Sequence, residues 1–136
     1  MKKREIISEG CPEPIGPYSE GLMTGEWFFT TQIGTLPDGS MISDDSAQQA
    51  IQCLKNVETI IAAAGGTIND AVKCTVYLTS LDDFDSVNKV YKEFFIKPYP
   101  ARTCIQISRL PAGARVEIEV VARIGSGADN RTEKGE

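Results

Sequence analysis

The sequence predicts an α+β protein in which two amphipathic helices cover one face of a mixed β-sheet. In two segments the apolar residues recur at every third or fourth position, which is typical of helices with one buried face. Five other segments have the alternation or the β-branched and aromatic composition of strands. These segments follow one another in the order β-β-α-β-α-β-β.

The first half of the chain is predicted to contain two strands and one helix. A strand at residues 4–8 leads into CPEPIGPYSEG, a loop, because proline can neither donate to a β-ladder nor continue a helix. The strand EWFFTTQIG follows, and the Asp-Gly signal in LPDGS closes it with a hairpin or tight loop. Residues 43–64 carry the first helical stripe, with Gly65 and Gly66 just beyond it.

The second half is predicted to contain three strands and one helix. VKCTVYLTS alternates as a half-buried strand, and residues 84–95 trace a second helical stripe that Pro98 and Pro100 end. The strands ARTCIQISR and RVEIEVVAR are joined by LPAGA, and this short connector predicts an antiparallel hairpin. A single domain is expected at residues 1–124, with a disordered polar tail at residues 125–136.

Composition excludes several classes of function. The 136 residues include 14 basic and 19 acidic side chains, and the net charge of -5 argues against nucleic acid or an anionic membrane as partner. There is no histidine, which excludes Ser/His and Cys/His nucleophiles and most zinc sites. The four cysteines are scattered and predicted to be reduced, and no apolar run approaches a membrane span, so we expect a cytoplasmic protein.

The predicted sheet has apolar residues on both faces. Segments such as EWFFTTQI and TCIQI would leave apolar side chains exposed opposite the helices. Because the chain has no third layer, another copy of the same chain is the expected cover, and the sequence predicts a homo-oligomer.

Arg102 and Glu117 are the main candidates for chemistry. Arg102 shares a strand face with Cys104, and its guanidinium suits either a bidentate grip on a carboxylate or a structural ion pair. Glu117 and Glu119 lie on the same face of the last predicted strand. Either this face is simply half-exposed to solvent, or one of the two glutamates is partly desolvated and acts as a base. If the predicted hairpin forms, Glu117 lies roughly 16 Å along the strand from Arg102, so a shared site would span a subunit boundary.

Three other positions have two interpretations each. Tyr18, in a Pro/Gly loop, presents its phenol to a ligand or packs at the edge of the core. Thr30 and Thr31 end a strand, where they offer hydroxyl and backbone donors to an oxyanion or simply reflect strand propensity.

The motifs together resemble the RidA/YjgF family of reactive-intermediate deaminases. The resemblance covers residues 11–123 and is carried by IGPYSEG, TTQIG, CLKNVETIIAAAGG, VKCTVYLTSLDDFDSVNKVYKEFF and YPARTCIQISRLPAGARVEIEVVA. It implies a chorismate-mutase-like subunit in a homotrimer, with the sheets forming a central barrel, helices outside and clefts between subunits. It also implies hydrolysis of enamines and imines such as 2-aminoacrylate to 2-keto acids and ammonia, without a metal or organic cofactor.

The resemblance also implies roles for single residues. Arg102 would hold the substrate carboxylate, the backbone carbonyl of Cys104 would help hold the attacking water, and Glu117 would activate that water. Further positions lining the cleft would be Tyr18, Phe84 and Asn88. The chain departs from the family at Thr30-Thr31-Gln32, where members commonly have Ser-Gly-Gln, and in a short loop at residues 95–100. The alternatives are a non-catalytic metabolite-binding or regulatory trimer and, less suited to the charge, an endoribonuclease or translation inhibitor.

Overall fold

The computed structural model describes residues 2–125. Within them the chain forms an α+β fold with the element order β-β-β-α-β-α-β-β, so the predicted fold class is confirmed and one strand had been missed. The strands are β1 (Lys3–Ile6), β2 (Gly21–Thr24), β3 (Trp27–Ile33), β4 (Ala71–Leu78), β5 (Ala101–Gln106) and β6 (Val116–Arg123). The helices are α1 (Ser46–Ala63) and α2 (Phe84–Phe94).

Strand β2 is the element that the sequence did not reveal. Its four residues begin with a glycine and are too few to show a clear alternation. It nevertheless pairs antiparallel with both β1 and β3, and Met23 is buried. Gly25, in the turn to β3, has a φ of 60°, a conformation that glycine adopts without steric cost. A tight turn therefore joins two strands where a continued loop was expected.

The strand order is β1-β2-β3-β6-β4-β5, and the predicted hairpin between β5 and β6 is wrong. Strand β6 inserts between β3 and β4, antiparallel to both, whereas β5 lies parallel to β4 at the sheet edge. The reason is burial: Val116, Ile118, Val120 and Ala122 are all fully buried, and an edge strand would leave this row exposed on one side. Helix α2 supplies the crossover that parallel β4 and β5 require.

Both helices pack on the same face of the sheet. Asp45 caps α1, its carboxylate accepting a hydrogen bond from the backbone N–H of Gln48 at 2.9 Å, so the helix begins three residues later than predicted. The buried faces of α1 and α2 meet the inward side chains of β4 and β6 in the larger core cluster. Helix α2 lies over β4 and β5, which places its first and last turns beside Arg102.

The opposite sheet face carries large apolar side chains that no element of residues 2–125 covers. Trp27 is 44% exposed, Phe29 is 40% exposed on the same strand, and Ile105 is 40% exposed on β5. This is the apolar face that the sequence predicted, and its cover by a second copy of the chain stays a prediction.

The cysteines and termini complete the fold. All four cysteines lie in the described part of the chain and are free, as predicted; Cys11, Cys53 and Cys74 are buried, and Cys104 is partly buried. In the part of the chain that the structure describes, no helix has the length and apolar character needed to cross a membrane. The predicted tail, apart from Gly125, lies outside the described residues, so the division into a domain at residues 1–124 and a tail stays a prediction.

Candidate active site

The eight residues predicted for the site divide into two groups that the structure does not bring together. Arg102, Cys104, Phe84 and Asn88 belong to β5 and α2, on the helix side of the sheet. Tyr18, Thr30, Thr31 and Glu117 line a cleft of about 900 Å³ along β3 and β6.

Arg102 lies against α2 without a carboxylate partner. Its guanidinium carbon is 4.7 Å from the ring centroid of Tyr91 and 5.7 Å from that of Phe84, which are cation–π distances. The ion pairs within residues 2–125 are Arg115 with Asp44 and Arg123 with Glu26. The structural ion pair considered for Arg102 is therefore absent from the described chain, and the guanidinium donors stay available for an anion.

Cys104 and Phe84 line a shallow cleft of about 550 Å³ on this side of the sheet, together with Leu81, Asp82 and Asp85. Burial raises the pKa of the Cys104 thiol, and the charge of Arg102 partly opposes this, so the thiol stays protonated near neutral pH. Asn88 lies one turn after Phe84 on α2 and does not line the cleft.

The backbone of Cys104 is more informative than its thiol. The N–H of Ile107 donates to the carbonyl of Leu78 at 2.8 Å, which fixes which residues of β5 bond to β4. Because these bonds recur at every second residue of a parallel strand, the carbonyl of Cys104 points away from β4, toward the free sheet edge. It is thus open to a water molecule or to a neighbouring chain.

Glu117 lies on the open face of β6, half-buried and next to a second carboxylate. Burial, and to a lesser extent the charge of Glu119, raises its pKa above the ordinary value of 4.5. Glu119 accepts a hydrogen bond from the Tyr77 hydroxyl at 3.3 Å. A half-desolvated carboxylate beside a hydrogen-bonded one is a stronger proton acceptor than an exposed glutamate, so Glu117 suits a general base.

Arg102 and Glu117 of one chain are kept apart by the sheet itself. Glu117 is opposite Tyr77 on β4, which is opposite Ile105 on β5, and Arg102 lies three residues before Ile105. The two candidate residues are therefore about 10 Å apart across the sheet and about 10 Å apart along the strands. Their side chains also project from opposite faces. The β5–β6 hairpin on which the predicted separation was based does not form. The observed sheet nevertheless keeps the two residues apart.

Tyr18 and the threonines occupy the cleft that Glu117 lines. Tyr18 is 52% exposed and does not belong to the buried core, and its hydroxyl accepts a hydrogen bond from the N–H of Ile15 at 3.3 Å. Thr30 is buried, and its hydroxyl donates to the backbone carbonyl of Glu20. Thr31 is exposed on the Glu117 face, opposite Glu119. Of these, Tyr18 and Thr31 are free to meet a ligand.

Glu20 and Tyr91 are two residues that sequence reasoning missed. Glu20 lines the Glu117 cleft and accepts a hydrogen bond from Gln32 at 2.9 Å, and burial raises its pKa. The one feature of the sequence that could have indicated Glu20 is Gln32. A glutamine at the end of a buried strand needs a polar partner. Tyr91 was assigned to the apolar stripe of α2, and its position under Arg102 depends on the parallel placement of β5.

No three potential metal-binding side chains come together within residues 2–125. The groups that the two clefts offer for proton transfer include carboxylate, hydroxyl, backbone and guanidinium groups.

Comparison with known proteins identifies the family. A family model described as Endoribonuclease L-PSP matches residues 9–124. TdcF of Escherichia coli, named a putative reactive intermediate deaminase, is 41% identical over 124 residues, covering 88% of this chain and 96% of its own. The 2-iminobutanoate/2-iminopropanoate deaminase of Homo sapiens is 40% identical over 122 residues, covering 88% of this chain and 89% of its own.

Solved structures give the same result. The crystal structure of Escherichia coli TdcF with bound serine matches with a TM-score of 0.83 at 38% identity, covering 90% of this chain and 99% of the other. The structure of the Escherichia coli yjgF gene product matches with a TM-score of 0.82 at 38% identity, covering 88% and 98%. The fold and its matches define an α+β protein of the Endoribonuclease L-PSP group. Within that group the chain belongs to the RidA/YjgF family, as its motifs predicted.

Proposed function

We propose that this protein is a hydrolytic deaminase that converts small 2-imino acids and their enamine tautomers, such as 2-aminoacrylate and 2-iminopropanoate, to 2-keto acids and ammonia. The observation that carries the proposal is the Arg102 guanidinium, which is held against two rings and has no carboxylate partner in residues 2–125. The names of the TdcF and human relatives, at about 40% identity, support the reaction class.

The proposed chemistry is addition of water to a C=N bond. The Arg102 guanidinium binds the substrate carboxylate, and Glu117 takes a proton from a water that the Cys104 carbonyl helps to hold. The imine reacts as its protonated form, so when the oxygen of that water bonds to the imine carbon, the electron pair of the C=N bond moves to the nitrogen and a neutral carbinolamine forms. Glu117 then gives its proton to the nitrogen, the C–N bond breaks as the carbinolamine oxygen forms the C=O bond, and the hydroxyl proton passes back to Glu117 as ammonia and the keto acid leave. Tyr18, Thr30, Thr31 and Phe84 line the site in this proposal, and Asn88 lies one helical turn after Phe84, beside it.

The site is proposed to be shared between two chains of a homotrimer. Arg102 and Glu117 project from opposite faces of one sheet, so a single chain cannot place both on one small substrate. The exposed Trp27, Phe29 and Ile105 make an apolar surface that a neighbouring sheet would cover. We propose that the sheets of three chains meet there as a barrel, which brings the edge strand β5 of one chain beside the Glu117 cleft of the next.

The serine bound to TdcF supports a small carboxylate ligand. Serine carries the α-carboxylate that Arg102 would bind, and it is close in size to 2-iminopropanoate. The same chemistry suits a cytoplasmic protein that meets imines released by amino acid-metabolising enzymes, and this location is part of the proposal.

The direct assay generates 2-aminoacrylate with a pyridoxal-phosphate lyase and follows ammonia and keto acid release with and without the protein. We expect release to become faster in proportion to the protein added, since orientation and a placed base accelerate a reaction that already occurs in water. Release at the rate seen with heat-denatured protein would show that the chain binds metabolites without this activity.

The family model's description makes ribonuclease activity the second candidate. The Glu117 cleft suits a polyanion poorly, because its charged side chains are Lys3, Glu13, Glu20, Glu117 and Glu119. We therefore expect no cleavage of a labelled single-stranded RNA at protein concentrations that give full deaminase activity. Cleavage that survives further purification and disappears in Glu117→Gln would favour the ribonuclease.

The rate should fall at acid pH, above the pH at which an ordinary glutamate titrates. The folded-state pKa of Glu117 is raised, so the base is lost to protonation as pH falls through that raised value rather than near 4.5. A profile of kcat/KM against pH, corrected for uncatalysed hydrolysis, measures the inflection. In Glu119→Gln the neighbouring charge is gone, and the inflection should move to lower pH. An inflection at or below 4.5 in the unmodified protein would contradict the assignment.

A further inference from the structure

Aromatic rings hold the Arg102 side chain in place, whereas a partly buried arginine usually pairs with a carboxylate. The side chain is partly buried and has four rotatable bonds, so holding it in one orientation requires a partner. Within residues 2–125 that partner is neither an ion pair nor a hydrogen bond, and the contacts recorded are the rings of Tyr91 and Phe84. The two rings lie seven residues apart on one face of α2, about 11 Å along the helix axis, with the guanidinium between them.

The two rings are not equivalent. Tyr91 is 6% exposed, belongs to the larger core cluster and stacks on Phe95 with ring centroids 4.4 Å apart. Phe84 is 36% exposed and lies in the first turn of α2, at the rim of the cleft. Tyr91 is also the closer ring. It is thus a rigid surface under the guanidinium, whereas Phe84 forms an outer wall.

We propose that Tyr91 is the positioning residue for Arg102: its ring holds the guanidinium so that the hydrogen-bond donors face the cleft and an incoming carboxylate. The inference rests on the proposed function, because it assigns Arg102 to the substrate carboxylate. It adds that the affinity for that carboxylate depends on a core residue that does not touch the substrate. Asp82 and Asp85 line the same cleft, and a fixed guanidinium is also kept from turning toward them.

The hydroxyl of Tyr91 is not required for this role. It is buried and has no hydrogen bond of good geometry within residues 2–125. Burial, followed by the neighbouring Cys74 thiol, raises the pKa of Tyr91, so the phenol is neutral and attracts Arg102 through its ring rather than as an anion. Tyr91→Phe should therefore preserve the interaction, and Tyr91→Leu should remove it.

The experiment measures binding of pyruvate, the keto acid product, by titration calorimetry to the unmodified protein and to Tyr91→Phe, Tyr91→Leu and Phe95→Leu. We expect affinity about 3- to 30-fold weaker in Tyr91→Leu, the range of a partly desolvated cation–π contact. Tyr91→Phe should bind as the unmodified protein does. Phe95→Leu, which removes a ring from the same cluster without touching Arg102, controls for a loosened core and should bind within about twofold.

A second comparison distinguishes the positioning of Arg102 from the packing of the core. It also provides a test if the Tyr91→Leu protein does not fold. Tyr91→Met fills similar space without a ring and should weaken pyruvate binding as Tyr91→Leu does. When Arg102→Ala is already present, either change should have no further effect on the remaining affinity. Unchanged binding in Tyr91→Met, or equal losses in Tyr91→Phe and Tyr91→Leu, would overturn the inference while leaving Arg102 in place. Unchanged binding in Arg102→Ala itself would overturn the proposed function as well.

Discussion

Arg102→Ala is expected to lower kcat/KM for 2-aminoacrylate hydrolysis by about 10- to 100-fold, the effect of losing a hydrogen-bonded contact to a charged group. The loss should appear mainly as a higher KM, because in the proposed site the guanidinium binds the substrate carboxylate in both the ground state and the transition state. Initial rates of keto acid release over a range of substrate concentrations separate KM from kcat.

Two variants make the Arg102 result specific. Arg102→Lys keeps the charge but loses the planar fork, so it should recover only part of the affinity. Arg123→Ala removes an arginine from the same sheet that is exposed and paired with Glu26 at 2.7 Å, and it should leave both constants unchanged. If Arg102→Ala and Arg123→Ala had the same small effect, Arg102 would not be the carboxylate-binding residue.

Glu117→Gln is expected to have the largest effect, a decrease in kcat of about 10²- to 10⁴-fold, because the amide keeps the shape of the side chain but cannot accept a proton. KM should change little, since the substrate carboxylate contact is not altered. The same rate assay measures both constants. Single-turnover measurements then show whether the slow step is the chemistry.

Glu119→Gln is the matched control, with the same change two residues along on the same face of β6. It should reduce kcat far less, because Glu119 is engaged by the Tyr77 hydroxyl. The alternating pattern of the sequence could not choose between the two glutamates, and their different environments now favour Glu117. A larger loss in Glu119→Gln than in Glu117→Gln would reverse this assignment.

The sequence predicted local structure well because side-chain periodicity reports which face of an element is buried. The stripe of α1 and the alternation of β4 and β6 both correspond to buried faces in the structure. Strand order was predicted less well, because it depends on competition among strands for the central positions. A short connector favoured a β5–β6 hairpin, but the fully apolar row of β6 is better buried between β3 and β4.

The candidate site also shows that local patterns can be read from the sequence, whereas contacts between distant elements cannot. Arg102 and Glu117 were proposed from residue type and motif, and such signals do not depend on where neighbouring strands lie. Tyr91 and Glu20 were missed because each contacts a residue distant in the sequence: Tyr91 contacts Arg102, and Glu20 contacts Gln32. Contacts of this kind follow from the packing of α2 on β5 and of the 12–20 loop on β3, and they cannot be read from periodicity.

In the proposed deaminase site, one chain contributes Arg102 and its neighbour contributes Glu117. Mixed trimers test it most directly: Arg102→Ala and Glu117→Gln chains carrying different tags are co-expressed, and the mixed species are purified by both tags in succession. Each mixed trimer should contain about one intact site in three and recover about a third of the unmodified rate, although both parent proteins are nearly inactive. Mixed trimers as inactive as their parents would contradict a site shared between chains.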